Sequence, residues 1–128
     1  PSNPGNALRK ALKLNDLRAW VPNAPVLMCG GSSDPTVFFF NTQLMQNYWA
    51  ANPPATAASV LDVDSAATAG DPYAALKDGF AAAEVLVRAT AVAGGATDGG
   101  DSAVFDDYHA GLVPPFCLSA AKSFFAAH

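Results

Sequence analysis

Short runs of consecutive apolar residues alternate along the chain with longer segments in which apolar residues recur every three or four positions. Two of the runs, residues 25–29 and 58–63, are bounded by proline, glycine or polar residues, as is typical of buried parallel strands. The longer segments predict helices at residues 3–14, 36–51 and 71–93 and a final helix that opens at Pro114-Pro115. Helices that alternate with strands predict an α/β fold with a parallel sheet.

Each predicted helix has an apolar face, and some have recognisable ends. Asn3 and Asp71 stand where N-terminal caps are expected, with Pro72 as the first residue after Asp71, and Gly94-Gly95 would end the third helix. The predicted buried faces consist of Leu8 and Leu12 in the first helix, Phe40, Leu44 and Tyr48 in the second, Leu76, Phe80, Ala83 and Val87 in the third, and Leu118, Ala121 and Phe125 in the last.

The stretch at residues 94–107 is rich in glycine and aspartate, so it predicts a loop. This loop and the helix before it make residues 64–108 a predicted insertion of helix and loop. His109 would then lie in a loop ahead of the final helix. Residues 1–128 are expected to form a single domain or a fragment of one.

The composition indicates that the chain has surface to be covered by something else. Hydrophobic residues make up 51% of the sequence and charged residues only 14%, whereas typical globular domains have roughly 25% charged residues. A parallel sheet needs lateral pairing and cover on both faces, which two strands do not supply by themselves. We therefore expect another segment or a second chain to complete the fold.

The charge pattern argues against nucleic acid as a partner. The net charge is −4, and no lysine or arginine falls between residues 19 and 76. The chain therefore has few basic side chains that could neutralise the phosphates of a nucleic acid. The uninterrupted apolar runs are far shorter than a membrane span, and no span is expected.

Neither the cysteines nor the paired acids predict a metal site or a cofactor. Cys29 and Cys117 lack metal-ligand spacing and are either buried thiols or one disulfide of an oxidising compartment; the sequence leaves both open. The pair Asp62-x-Asp64 and the pair Asp98–Asp101 do not match a calcium loop, so these side chains are expected to be solvated.

Two residues have the chemistry of an acid–base pair. Asp34 follows the first predicted strand in Gly-Gly-Ser-Ser-Asp-Pro, and His109 comes long after the second, in Asp-Asp-Tyr-His-Ala-Gly. Reactive groups of α/β sheets gather at the carboxyl ends of the strands. A carboxylate that accepts the Nδ1–H of an imidazole fixes its tautomer and lets it act as a general base.

Two stretches around these residues follow a wider pattern. Residues 15–37 read N-D-L-x-x-W-x-P-x-x-P-V-L-M-C-G-G-x-x-D-P-T-V, and in residues 108–125 a histidine precedes an apolar segment and a closing helix. The first stretch resembles the strand and G-x-x-D-x-x-V segment of secreted bacterial and fungal esterases and lipases of the α/β-hydrolase superfamily, with Gly31, Asp34 and Val37 at the motif positions. The second resembles the end of the same family, and acid before base is its chain order.

The resemblance implies the C-terminal part of an α/β-hydrolase fold, with Asp34 as the triad acid and His109 as the triad base. The chain has no G-x-S-x-G motif for the nucleophile, and Ser32 and Ser33 lie in the acid's own loop. The residue before the histidine, commonly glycine in the family, is Tyr108. The resemblance therefore implies an ester substrate, a serine from an upstream segment or a second chain, a secreted or periplasmic location, and no activity of this chain alone.

Two other functions stay open at this point. A serine peptidase of the prolyl-oligopeptidase type shares the fold and the motif, and a non-catalytic interaction module could keep the same scaffold. Phe38-Phe39-Phe40 directly follows the acid. A helix can bury at most one or two of three consecutive aromatic residues on its core face. The others would line a substrate pocket or pack on the missing portion of the fold, and core packing is the favoured interpretation.

Overall fold

The computed structural model describes residues 5–15 and 19–128. Within these ranges the chain forms a two-stranded parallel sheet and five α-helices. The elements are α1 (Ala7–Leu14), β1 (Val26–Gly30), α2 (Phe40–Ala51), β2 (Ala58–Asp62), α3 (Ala74–Ala93), α4 (Asp101–Asp107) and α5 (Val113–Ala127), and a π-helical turn (Tyr108–Leu112) joins α4 to α5. The mixed α/β class and the parallel pairing are confirmed; a sheet of this size is compatible with many α/β folds.

The two strands lie in register, so they end at the same edge of the sheet. Val26 lies opposite Ala58, and Gly30 lies opposite Asp62. Beyond the last pair, the N–H of Val63 donates to the carbonyl of Gly30 at 2.9 Å. The loop that follows β1 and the residues that follow β2 therefore leave the sheet side by side, as expected for parallel strands.

One face of the sheet forms the hydrophobic core with α3, α4, the π-helical turn and α5. Side chains alternate between the faces of a strand, and Leu27 and Cys29 of β1 pack against the core on the same side as Leu61. The buried cluster consists of Leu61, Val63, Phe80, Val104, Tyr108, Leu112, Val113 and Ala120. The segment 64–108, predicted to be an insertion, thus contributes Phe80, Val104 and Tyr108 to the core.

The opposite face of the sheet lies against the start of α2. A Cβ atom on Gly30 would come 3.2 Å from the ring of Phe39, and Phe39 is only 8% exposed. Gly30 belongs to the set of strand residues that point away from Leu27 and Cys29. Phe39 thus covers this face at Gly30, and α2 contacts β2.

The first helix begins later than predicted. Asn6 caps α1, because its Oδ1 accepts the N–H groups of Leu8 and Arg9. The predicted cap, Asn3, lies outside the described residues. Leu8 and Leu12 share a face as predicted, but both are exposed, so this amphipathic helix buries no residue against the rest of the described chain.

The predicted buried faces of α2 and α5 are wrong by one residue. In α2 the buried residues are Met45 and Trp49, whereas Phe40 and Leu44 are exposed. In α5 they are Val113, Ala120 and Phe124, whereas Leu118 and Phe125 are exposed. Both helices have apolar residues on more than one side, so the periodicity does not single out the face that meets the sheet.

The third helix buries the face that the sequence predicts, but it begins at Ala74 and not at Pro72, because Asp71 accepts the N–H of Tyr73 and does not cap the helix. The loop after this helix is shorter than predicted. Phe80 is buried in α3, and Leu76, Ala83 and Val87 pack against the core with it. Residues 101–107 form α4 and not a loop. Asp98 makes this possible because its carboxylate accepts the N–H groups of Gly100 and Ser102 at the start of the helix.

A disulfide joins Cys29 of β1 to Cys117 of α5. Of the two alternatives that the sequence leaves open, the structure has the bridged one. Residues 101–127 form one continuous helical stretch that is long and apolar enough, by length and composition alone, to cross a membrane. The same stretch is bonded to β1 through the disulfide and supplies part of the core, and buried helices of soluble proteins pass the same test.

Candidate active site

Asp34 is held in a fixed orientation by its own loop. The loop turns back after β1, with the N–H of Asp34 donating to the carbonyl of Gly31. Oδ1 of Asp34 then accepts the N–H groups of Thr36 at 2.8 Å and Val37 at 2.9 Å, a local turn that aspartate favours. Because of these bonds, α2 begins at Phe40, whereas the sequence predicts a helix that begins at Thr36. The Asp34 residue is buried, at 6% exposure.

His109 lies in a helix and not in the predicted loop. The π-helical turn Tyr108–Leu112 adds a residue to the helical turn between α4 and α5, and such turns are frequent at functional sites. Gly111 makes room within this turn, because a Cβ atom there would collide with the carboxylate of Asp107. The imidazole of His109 is therefore carried by a helical turn, with 45% of the side chain exposed.

The two predicted site residues meet in the structure. Nδ1 of His109 lies 2.7 Å from Oδ2 of Asp34, the oxygen that the loop amides leave free. Burial by itself raises the pKa of Asp34, but the hydrogen bonds from His109 and from the amides of Val37 and Thr36 outweigh it and lower the pKa below its ordinary value. An ionised carboxylate only accepts hydrogen bonds, so Nδ1 carries the proton.

The other ring nitrogen of His109 is available for chemistry. With Nδ1 protonated, Nε2 of the neutral imidazole holds a lone pair. Nε2 has no hydrogen-bond partner among residues 5–15 and 19–128. A buried carboxylate, an oriented imidazole and a free Nε2 are what a general base of the serine-hydrolase type requires.

Tyr108 and Asp64 form a second contact beside this pair, and the sequence analysis did not predict it. The Tyr108 hydroxyl donates to Oδ2 of Asp64 at 2.6 Å and accepts the N–H of Ser33 at 3.2 Å. Asp64 also accepts the N–H of Ser33 directly, at 3.1 Å. Burial and the hydrogen bond to Asp64 raise the pKa of Tyr108 far above its ordinary value, so the phenol remains a donor.

Asp62, the last residue of β2, and Asp64 hold the loop of residues 31–39, here called the acid loop, and are not merely solvated. Asp62 accepts the N–H of Ser32 at 3.0 Å, and Asp64 accepts the N–H of Ser33. Both acids directly follow the core of β2, at the edge where the acid loop leaves β1. That position was the available sequence signal, because neighbouring parallel strands bring such loops together.

Neither serine of the acid loop forms a hydrogen bond with His109 within the described residues. The hydroxyl of Ser32 donates to Asp64 at 3.4 Å, and the backbone N–H groups of Ser32 and Ser33 bind Asp62 and Asp64. In the described part of the chain, no three side chains of the metal-ligand types gather into a possible metal site.

Comparisons with known proteins add no family to this geometry. No protein-family model, no curated protein and no solved structure matches the chain.

Proposed function

We propose that the chain supplies the acid and the base of a Ser-His-Asp triad for carboxylic-ester hydrolysis, and that the nucleophilic serine comes from another segment or a second chain. The observation that carries the proposal is the 2.7 Å contact between Nδ1 of His109 and the buried carboxylate of Asp34. The fold proposed with it is the C-terminal part of an α/β-hydrolase.

The proposed chemistry assigns one role to each group. The incoming serine hydroxyl gives its proton to Nε2 of His109 as its oxygen attacks the ester carbonyl, and the protonated imidazole returns a proton to the leaving alkoxide. Asp34 remains ionised throughout and stabilises the imidazolium while keeping its plane fixed. The acyl group on serine is then released by water, which His109 deprotonates in the same way.

Among the described residues, no second strand pairs with the outer edge of β1, and this edge supports the proposal of a partner segment. The N–H of Val26 and the carbonyl of Gly30 face β2, so by alternation the backbone groups of Leu27 and Cys29 face the outer edge. An added parallel strand would pair with these groups. Its carboxyl end would then lie beside the acid loop, where the base needs a nucleophile.

The test uses the longer or two-chain protein that includes the serine. His109→Ala is expected to lower the turnover of a p-nitrophenyl ester by roughly 10³-fold or more. His128→Ala is the matched control, because His128 stacks on Phe124 at the end of α5 and should leave turnover unchanged. Full turnover in His109→Ala would contradict the proposed triad.

A second measurement uses the chain alone. A fluorophosphonate probe reacts only with an activated serine, so we expect no labelling of the 128-residue chain. Labelling at Ser32 or Ser33 would contradict the assignment of the nucleophile to another segment. In the protein that includes the serine, a peptidase would cleave a peptide substrate as well, and a non-catalytic module would turn over neither substrate.

A further inference from the structure

The contacts between the acid loop and the π-helical turn come in two consecutive pairs. Ser33 binds the hydroxyl of Tyr108, and the next residue of each segment, Asp34 and His109, forms the acid–base contact. We propose that Tyr108 is a positioning residue, whose hydroxyl between Asp64 and the N–H of Ser33 sets the distance at which Asp34 meets His109. The inference rests on the proposed function insofar as that contact serves hydrolysis.

The ring of Tyr108 is packed in the core, and this packing fixes the position of its hydroxyl. Tyr108 is 2% exposed and belongs to the core cluster. Its ring packs edge-to-face on Phe80 of α3, with centroids 5.6 Å apart. The hydroxyl therefore reaches out of the core at a fixed point, and the acid loop binds to it.

The acid loop is shaped to receive this hydroxyl. Gly31 has no side chain at the place where Tyr108 passes, and a Cβ atom there would collide with the hydroxyl and come 2.9 Å from the ring carbon Cε1. No positive backbone angle demands glycine at this position, so the close approach of Tyr108 is what requires it. Asp64, which is half-buried after β2, then accepts a hydrogen bond from the phenol.

The Tyr108 hydroxyl can affect the contact between Asp34 and His109 because its own contact with Ser33 is one residue away in each segment. Without it, Ser33 keeps only its bond to Asp64, and Asp34 and His109 form the one hydrogen bond left between these described segments. A displacement of a reacting group by a fraction of an ångström to 1 Å costs large factors in rate. Removal of the hydroxyl should therefore change the environment of His109 more than it changes the stability of the fold.

The first experiment uses Tyr108→Phe, which keeps the ring and removes the hydroxyl. The readout is the proton NMR signal of the His109 Nδ1–H, measured in the 128-residue chain. We expect this signal to shift upfield or broaden beyond detection, since the bond to Asp34 is no longer held at its length. Tyr48→Phe, which removes a hydroxyl of α2 that makes none of these contacts, should leave it unchanged.

The second experiment asks whether an acceptor at Asp64 is what the hydroxyl needs. Asp64→Asn keeps a side-chain oxygen that can accept the hydrogen bond from the phenol, so it should keep the Nδ1–H signal of His109. Asp64→Ala removes the acceptor and should reproduce the effect of Tyr108→Phe. A purely structural role of Tyr108 predicts lower stability in these variants with the Nδ1–H signal in place, and that result would overturn the inference.

The third experiment separates this inference from the proposed function. In the protein that includes the serine, Tyr108→Phe is expected to lower kcat about tenfold with KM nearly unchanged. If the NMR signal responds and His109→Ala nevertheless retains ester turnover, the positioning role stands and the hydrolase proposal falls. If Tyr108→Phe changes neither the signal nor kcat, the positioning role is refuted whatever the activity of the chain.

Discussion

The two oxygens of Asp34 do different work. Oδ1 accepts two backbone amides of its own loop, and Oδ2 accepts the imidazole of His109. The amides orient the carboxyl group before the base arrives, so the contact with His109 costs little further ordering. This division of roles also explains why a buried acid can stay ionised, because three donors compensate for its lost hydration.

The lowered pKa of Asp34 predicts how stability depends on pH. The folded pKa lies below the ordinary value of 3.8, so the ionised form stabilises the folded chain fully above that value. The stabilisation is lost as the pH falls below 3.8 toward the folded pKa. Urea unfolding of Asp34→Asn from pH 7 to pH 2 should therefore show its largest deficit near neutrality and a shrinking one in acid.

An exposed acid provides the control for this experiment. Asp106→Asn changes a carboxylate on the outer side of α4 and should follow the wild-type curve. A deficit of Asp34→Asn that stays constant down to pH 2 would show that the carboxylate contributes through packing and not through its charge.

At the scale of the element, the three consecutive phenylalanines after the acid loop have different environments. Phe39 is buried against Gly30 at 8% exposure, whereas Phe38 and Phe40 are 65% and 61% exposed. One ring thus fixes α2 to the sheet, and two are left at the surface near the acid. The prediction of core packing holds for Phe39 alone, and the surface rings are suited to a substrate or to a partner segment.

Alanine substitutions should separate these three rings. Phe39→Ala is expected to lower the free energy of unfolding by about 3 kcal/mol or more, since it opens a cavity beneath the acid loop. Phe38→Ala and Phe40→Ala should each stay within about 0.5 kcal/mol of the wild type. Chemical denaturation of the three variants measures this directly, and equal losses would contradict the assignment of one buried ring.

Elements defined by burial could be predicted from the sequence, whereas helix boundaries set by local side-chain bonds could not. The strands at residues 25–29 and 58–63 were predicted to within about one residue of β1 and β2, because buried parallel strands read as unbroken apolar runs. The start of α2 and the helix at residues 101–107 were missed, since Asp34 and Asp98 use their side chains on local amides. Such local bonds compete with a helix or start one, and periodicity does not register them.

At the scale of the whole molecule, the disulfide joins the strand of the acid to the helix that follows the base. Cys29 lies shortly before Asp34, and Cys117 lies in α5 after His109. The bridge closes a loop across a sequence separation of 88. It therefore holds together the two ends of the segment that contains α2, β2, α3 and α4, and an extracellular location is compatible with it.

Removing the bridge should destabilise the whole fold. Replacing both cysteines with serine is expected to cost roughly 4–5 kcal/mol in the chain-entropy description of so long a loop. Urea unfolding of the wild type with and without a reductant should show the same loss. The double variant should not respond to the reductant, and a response would mean that the reductant acts elsewhere than on Cys29–Cys117.

The contact between Asp34 and His109 could be predicted from the sequence, because a carboxylate and an imidazole in loops of an α/β sheet are expected to meet at the carboxyl ends of its strands. The α/β class followed from apolar runs and helical periods, which reflect burial of whole elements. The contacts of Tyr108, Asp64 and Gly31, the disulfide and the buried sides of α2 and α5 were decided only by the tertiary structure. Each of these depends on the register of one element against another, and local patterns along a chain do not contain that register.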